Sequence, residues 1–214
     1  MTTEVPIQEV APHEVLAQDP EAVRAAFELS MSREVPSFIL RASGVELGDN
    51  PRQTMLDIAR AGAEAATGQN HQLSPTFDTS VSPGAGSEAG FHADDNISDK
   101  PDAYHVHITE SEQPSKLKTA NPGPDLAGSD ISVRYDDRLN NLLAEGKTDP
   151  SLVDPQFHVG ETRNYDAAVF RVRGSSPTWH DVTTPEDSRV ATATVLSPVP
   201  ASTPSEPVDN SDTL

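Results

Sequence analysis

Seven histidines and no cysteine limit the metal chemistry open to this 214-residue chain. Without thiolates, a transition-metal site has to use imidazole and carboxylate ligands. His92 and Asp94 are separated by one residue, and in an extended strand that spacing places both side chains on one face. His180 can add a second imidazole from another strand. Two imidazoles and one carboxylate are typical of an Fe(II) site that keeps several coordination positions open.

The segment around His180 carries a second chemical signal. Residues 165–172 predict an apolar strand, and a turn separates this strand from His180. Arg189 then opens an alternating run in which Arg189, Ala191 and Ala193 share one face. An arginine among small residues inside a β-structure is a buried cation that needs an anion. Its planar guanidinium can bind a carboxylate through two hydrogen bonds, so Arg189 is a candidate ligand-binding residue.

These segments resemble the Fe(II)- and 2-oxoglutarate-dependent oxygenases, closest to their prolyl-hydroxylase-like branch. The matching stretches are GFHADD at 90–95, YDAAVFRV at 165–172, WHDV at 179–182 and SRVATATVL at 188–196. The resemblance implies that His92, Asp94 and His180 are the iron ligands and catalytic residues. It implies that Arg189 binds the distal carboxylate of the cosubstrate 2-oxoglutarate. The implied activity is hydroxylation or desaturation of a substrate, with release of succinate and CO₂; Asp94 disfavours halogenation.

Two helices are predicted before residue 70. Asp19 and Asn50 each precede a proline, which is the pattern of an N-cap followed by proline in the first turn. Apolar residues recur at helical spacing after both caps, and Gly68 is a plausible residue to end the second helix.

The rest of the chain predicts short strands. After residue 70, β-like runs alternate with turn residues, at 103–109, 131–135, 167–172 and 190–196. Helices followed by many short strands indicate an α+β chain with a β-sandwich or barrel core. The resemblance specifies this core as a double-stranded β-helix, or jelly roll, buttressed by the N-terminal helices. We therefore expect an irregular N-terminal arm over 1–18, the oxygenase-like domain over 19–196 and a disordered tail over 197–214.

The charge of the chain bears on its partners. With 34 Asp and Glu against 15 Lys and Arg, the net charge is −19, which argues against nucleic acid and against an anionic membrane surface. We expect the substrate to be a small molecule or a peptide. Neither a signal peptide nor a run of 18 apolar residues is visible, so the expected location is cytoplasmic.

Two alternatives remain open. His105, His107 and Glu112 resemble the first metal-binding motif of a cupin, although the glycine expected before it is replaced by Asp99. Otherwise the two histidines lie on a strand that lines a pocket or faces water, and under the oxygenase hypothesis they flank the iron and contact substrate. The second alternative is a non-enzymatic acidic interaction protein on a degenerate β-helix, which the proline-rich, aromatic-poor composition favours.

Overall fold

The chain folds as a mixed α+β structure. Our computed structural model describes residues 8–79, 92–93, 101–121, 133–134, 156–173, 178–183 and 191–199. Within these ranges there are two helices and twelve strands. The helices are α1 (Pro20–Met31) and α2 (Pro51–Thr67). The strands are β1 (Gln8–Val10), β2 (His13–Leu16), β3 (Ser37–Arg41), β4 (His71–Thr79), β5 (His92–Ala93), β6 (Ala103–Thr109), β7 (Ser115–Ala120), β8 (Val133–Arg134), β9 (Gln156–Thr162), β10 (Ala167–Arg173), β11 (Trp179–Thr183) and β12 (Ala191–Pro198).

Both helices begin where their N-caps predict, and α2 ends at the predicted Gly68. The Asp19 carboxylate accepts a hydrogen bond from the Ala22 backbone N–H at 3.1 Å. The Asn50 side chain accepts one from the Gln53 N–H at 3.2 Å. Gly68 ends α2 with φ at 69°, the left-handed conformation that glycine adopts at little cost. The helix predictions are therefore confirmed. No helix in the described ranges combines the length and apolar character needed to cross a membrane.

The strands form two six-stranded sheets that are largely antiparallel. The first sheet has the order β2-β3-β10-β6-β12-β4, and the second has the order β1-β9-β7-β11-β5-β8. The parallel pairs are β1 with β9 and β2 with β3.

The first sheet is buried on both faces. One face packs on α1 and α2, where the ring of Phe27 lies 4.9 Å from that of Phe38 and 5.2 Å from that of Tyr104. The opposite face packs on the second sheet, with Ile39 and Phe170 beside Leu117. We call the space between the two sheets the inter-sheet space. The candidate site lies there.

The N-terminal segment differs from its prediction. We expected residues 1–18 to be an irregular arm, but 8–10 and 13–16 form β1 and β2. These strands pair with β9 and β3, which are distant in the sequence. Glu14 also accepts a hydrogen bond from Arg41 Nε at 2.9 Å. Such pairing is tertiary, so the local sequence carries little sign of it.

The predicted strands at 103–109 and 167–172 are confirmed as β6 and β10. The run predicted at 190–196 forms β12, whose described residues start at Ala191 and continue to Pro198. Besides β1 and β2, three more strands were not predicted, namely β4, β7 and β9. A disordered tail was predicted over 197–214, but Ser197 and Pro198 continue β12 and pair with Gln72 and His71. The rest of the predicted tail, beyond position 199, lies outside the described residues.

Candidate functional site

His180 lies on β11 with its imidazole buried in the protein. The residue is 6% exposed, and its Nδ1 lies 3.0 Å from the carbonyl oxygen of Thr178. A carbonyl can only accept, so this contact places a proton on Nδ1 of His180. In the neutral imidazole the lone pair is then on Nε2. This is the arrangement that a metal-binding histidine commonly has, because the backbone contact fixes both tautomer and ring orientation.

His92 occupies the position directly opposite His180 in the second sheet. β5 and β11 are antiparallel, and His92 is the register partner of His180. Directly opposed residues in an antiparallel pair have Cβ atoms about 5 Å apart on one face of the sheet. Positions 92 and 180 are therefore neighbours, although they are far apart in the sequence.

The first sheet brings aromatic side chains to the same place. The ring of Phe170 on β10 lies 4.6 Å from that of His180, tilted by 33°. His105 on β6 packs edge-on against both, with ring centroids 5.5 Å from Phe170 and 6.1 Å from His180. These three rings span the inter-sheet space and reduce access of water to His180.

His107 is the second histidine of β6 on this face. It is 7% exposed, and its Nε2 is buried with no hydrogen-bond partner among the described residues. Burial lowers the pKa of His107 to about 4, and the nearby His180 adds to this lowering. The imidazole is therefore neutral at physiological pH.

Two of the four residues expected at the iron site fall within the described ranges. These are His92 and His180, which the register brings together. Asp94 and Arg189 lie outside the described residues, so their roles stay predictions. In the part of the chain that the structure describes, no three His, Asp or Glu side chains form a metal-binding group.

The cupin-like set is brought together only in part. His105 lies against His180, whereas Glu112 is exposed in the turn that follows β6. Both histidines lie on the inter-sheet face of β6, and Glu112 comes after the strand has ended. The structure therefore gives Glu112 no place beside the two imidazoles.

Sequence reasoning missed the residues that line the site from β7 and β9. In the second sheet β11 lies between β5 and β7, and Thr119 on β7 is the register partner of His180. His158 on β9 is the register partner of Thr119. The Oγ1 of Thr119 is 2.6 Å from the Oγ of Ser37 on β3, which joins the two sheets beside the histidines. No apolar run marks β7 or β9, so periodicity gave no signal.

Arg171 is fully buried but lies on the helix side of the first sheet, away from the site. Its guanidinium donates to the Ser30 carbonyl and to Ser30 Oγ at 3.0 Å. It also donates to the Val35 carbonyl at 3.4 Å and to Asn121 Oδ1 at 2.7 Å. Burial lowers the pKa of Arg171 to about 10, so it stays charged at neutral pH. Its cation stabilises the carboxyl end of α1.

No protein-family model matches the chain, and no curated protein matches its sequence.

Proposed function

We propose that this chain is an Fe(II)- and 2-oxoglutarate-dependent oxygenase that hydroxylates or desaturates a small-molecule or peptide substrate. The observation that carries the proposal is the opposition of His92 and His180 across β5 and β11. In the proposed site Asp94 completes the ligand set, because in an extended chain it shares a face with His92. Arg189 binds the distal carboxylate of 2-oxoglutarate.

The strand orders support a double-stranded β-helix as the fold. Eight strands in chain order, namely β4, β5, β6, β7, β9, β10, β11 and β12, form the proposed core. When these eight strands are numbered in chain order, the first, eighth, third and sixth (β4, β12, β6 and β10) lie side by side in the first sheet. The second, seventh, fourth and fifth (β5, β11, β7 and β9) lie side by side in the second sheet. All pairings within each set of four are antiparallel. This is the order that a jelly roll requires. In this proposed jelly roll the remaining strands flank the core. β3 and β2 lie beyond β10 in the first sheet, and β1 lies beyond β9 and β8 beyond β5 in the second sheet.

The chemistry of the donors fits Fe(II). Imidazole nitrogen and carboxylate oxygen suit this ion, and two imidazoles with one carboxylate leave positions for other ligands. The contact from the Thr178 carbonyl to His180 Nδ1 orients the imidazole, so that Nε2 carries the lone pair. When bound, the iron and 2-oxoglutarate supply the oxidising chemistry, which consumes O₂ and yields succinate and CO₂.

The protein residues position and shield these groups. His180 supplies one donor atom and is held by its strand and by Thr178. Phe170 packs on the His180 ring and limits water around it. Arg189 orients the cosubstrate through a bidentate contact. The strongly acidic composition favours a neutral or cationic substrate over a polyanion.

The first test of the proposal is metal affinity. We expect His180→Ala and Asp94→Ala each to weaken Fe(II) binding under anaerobic conditions by about 100-fold or more, because each removes a ligand. Calorimetry with Fe(II) alone measures this. The matched control is His71→Ala. This substitution removes a buried histidine that lies beside α2 and is not part of the proposed site.

The outcome separates the hypotheses. Wild-type affinity in both ligand variants would contradict the proposal. If the wild-type protein binds no iron at all, the alternative of a non-enzymatic interaction protein is favoured instead. Loss of binding in His105→Ala together with full binding in Asp94→Ala would favour a cupin-like site.

A further inference from the structure

The imidazole of His107 is a buried polar group that lacks a partner within the described part of the chain. Its Nε2 makes no hydrogen bond there, and the residue is more than nine-tenths buried. A buried polar atom without a hydrogen bond costs about 1–3 kcal/mol, so native proteins seldom retain one without a reason. His71 has a buried Nε2 of the same kind, but it lies beside α2, whereas His107 lies in the inter-sheet space near His180, where a bound ligand supplies such a reason.

One neighbour of His107 in the first sheet has a short side chain. His107 is the register partner of Ala168 on β10 and of position 193 on β12. The side chain of Ala168 reaches less far from the sheet than an imidazole. The same face carries His105 and Phe170 at the next register level, where they meet His180.

The local chemistry suits a ligand that accepts hydrogen bonds. His107 is buried, and burial and the nearby His180 both lower its pKa, so its imidazole is neutral. A neutral imidazole has two tautomers and can carry its N–H on Nε2. Thr109, two residues farther along the same face of β6, does not share this role, because its hydroxyl lies 2.7 Å from the hydroxyl of Thr162 on β9.

We propose that Nε2 of His107 donates a hydrogen bond to a carboxylate oxygen of 2-oxoglutarate bound in the inter-sheet space. The inference rests on the proposed function, since it assumes that iron is held at His180. Along β6, His107 lies two residues from His105, which is about 6.6 Å in a strand, and His105 packs on the ring of His180. His107 and the proposed iron ligand His180 therefore border the same part of the inter-sheet space. His107 is then a cosubstrate-binding residue rather than a metal ligand.

The test compares two substitutions at position 107. His107→Phe keeps the ring shape and removes both nitrogens, whereas His107→Gln keeps an N–H close to the position of Nε2. We measure the Kd of 2-oxoglutarate for the anaerobic Fe(II)-loaded protein by calorimetry, and the Kd of Fe(II) alone in the same variants. We expect His107→Phe to weaken 2-oxoglutarate binding roughly 10- to 100-fold and Fe(II) binding less than 3-fold. We expect His107→Gln to recover most of the 2-oxoglutarate affinity.

His71→Phe is the matched control. His71 is also buried with an unpartnered Nε2, but it lies beside α2, where its backbone N–H donates to Glu64 at 3.0 Å. We expect this variant to bind 2-oxoglutarate as the wild type does. His107→Leu replaces His107→Phe if thermal melting shows that the phenylalanine variant does not fold.

Each other outcome overturns the inference in a distinguishable way. An unchanged Kd for 2-oxoglutarate in His107→Phe refutes the hydrogen bond and leaves the proposed function intact. A parallel loss of Fe(II) affinity would make His107 a metal ligand instead. Equal weakening by Phe and Gln would assign the effect to packing. If the iron-loaded wild type does not bind 2-oxoglutarate, the inference and the proposed function fail together.

Discussion

Two buried histidines, His180 and His107, reach the inter-sheet space from opposite sheets, and their nitrogens are used differently. The Nδ1 of His180 is occupied by a backbone carbonyl, which fixes its tautomer. The Nε2 of His107 has no described partner. We propose that His180 binds the metal and that His107 binds the cosubstrate. The sequence pointed to His180 through its motif, but gave His107 only as one of several possibilities.

Arg171 shows that a buried arginine can have a structural role. Sequence reasoning assigned an arginine among small residues to a ligand carboxylate, and it chose Arg189. Arg171 is fully buried, yet its guanidinium binds no ligand in our account. It donates hydrogen bonds to carbonyl oxygens at the end of α1 and in the α1–β3 connection, and to the side-chain amide oxygen of Asn121. The role of Arg189 therefore needs a test of its own, because burial of an arginine does not by itself indicate a ligand.

We predict that Arg171→Met lowers the free energy of unfolding by about 3–5 kcal/mol. The substitution keeps the apolar stem but leaves several buried oxygens without donors, each at a cost of about 1–3 kcal/mol. Urea denaturation followed by circular dichroism measures the change. Arg171→Lys should lower the free energy of unfolding by less, because an ammonium group keeps the charge and part of the hydrogen bonding.

Arg24→Met is the control for this prediction. Arg24 pairs with Glu21 and Glu28 on the exposed face of α1, so its removal should change stability little. A stability of Arg171→Met equal to that of the wild type would show that the buried network is not needed for the fold.

At the scale of elements, helices were predictable and much of the sheet framework was not. The two helices have local signals, namely Asp19 or Asn50 as caps, a following proline, and apolar spacing. β7 lacks an apolar run, because it buries Ser115 and Thr119 as well as Leu117 and exposes Lys116. The buried hydroxyls are satisfied by contacts from other strands, such as Ser37 with Thr119. Such contacts are tertiary and have no local signature in the sequence.

The crossing of α1 and α2 depends on Gly62. A Cβ at this position would lie 2.4 Å from Val23 Cγ1 and 3.2 Å from the Phe27 ring. We predict that Gly62→Ala destabilises the protein by about 1–2 kcal/mol, although alanine is the better helix former by roughly 1 kcal/mol. Ala61→Gly, on the exposed neighbouring residue, measures the propensity effect alone in the same helix.

A double-mutant cycle identifies the clash as the cause. Val23→Ala removes the contacting methyl groups, so Gly62→Ala should cost less in that background, with a coupling of about 1 kcal/mol. Additive effects of the two substitutions would contradict the proposed contact. Denaturant midpoints with unchanged slopes give the four free energies.

At the scale of the molecule, the two sheets bring together residues that the sequence keeps apart. His92 lies on a two-residue strand, and His180 lies on a strand near the other end of the chain. The motifs predicted both as ligands, and the register places them side by side. The contribution of β6 and β10 to the same space depends on how one sheet lies over the other. No local pattern contains that information, so His107 and Phe170 could be placed only from the structure.

The central claim is that the inter-sheet space holds iron and 2-oxoglutarate together. It is tested most directly by anaerobic titration of the Fe(II)-loaded wild-type protein with 2-oxoglutarate, monitored by visible absorption. We predict a weak metal-to-ligand charge-transfer band that saturates at one equivalent of cosubstrate and is reached only at much higher concentration in Arg189→Ala. Iron binding without any such band would contradict the account.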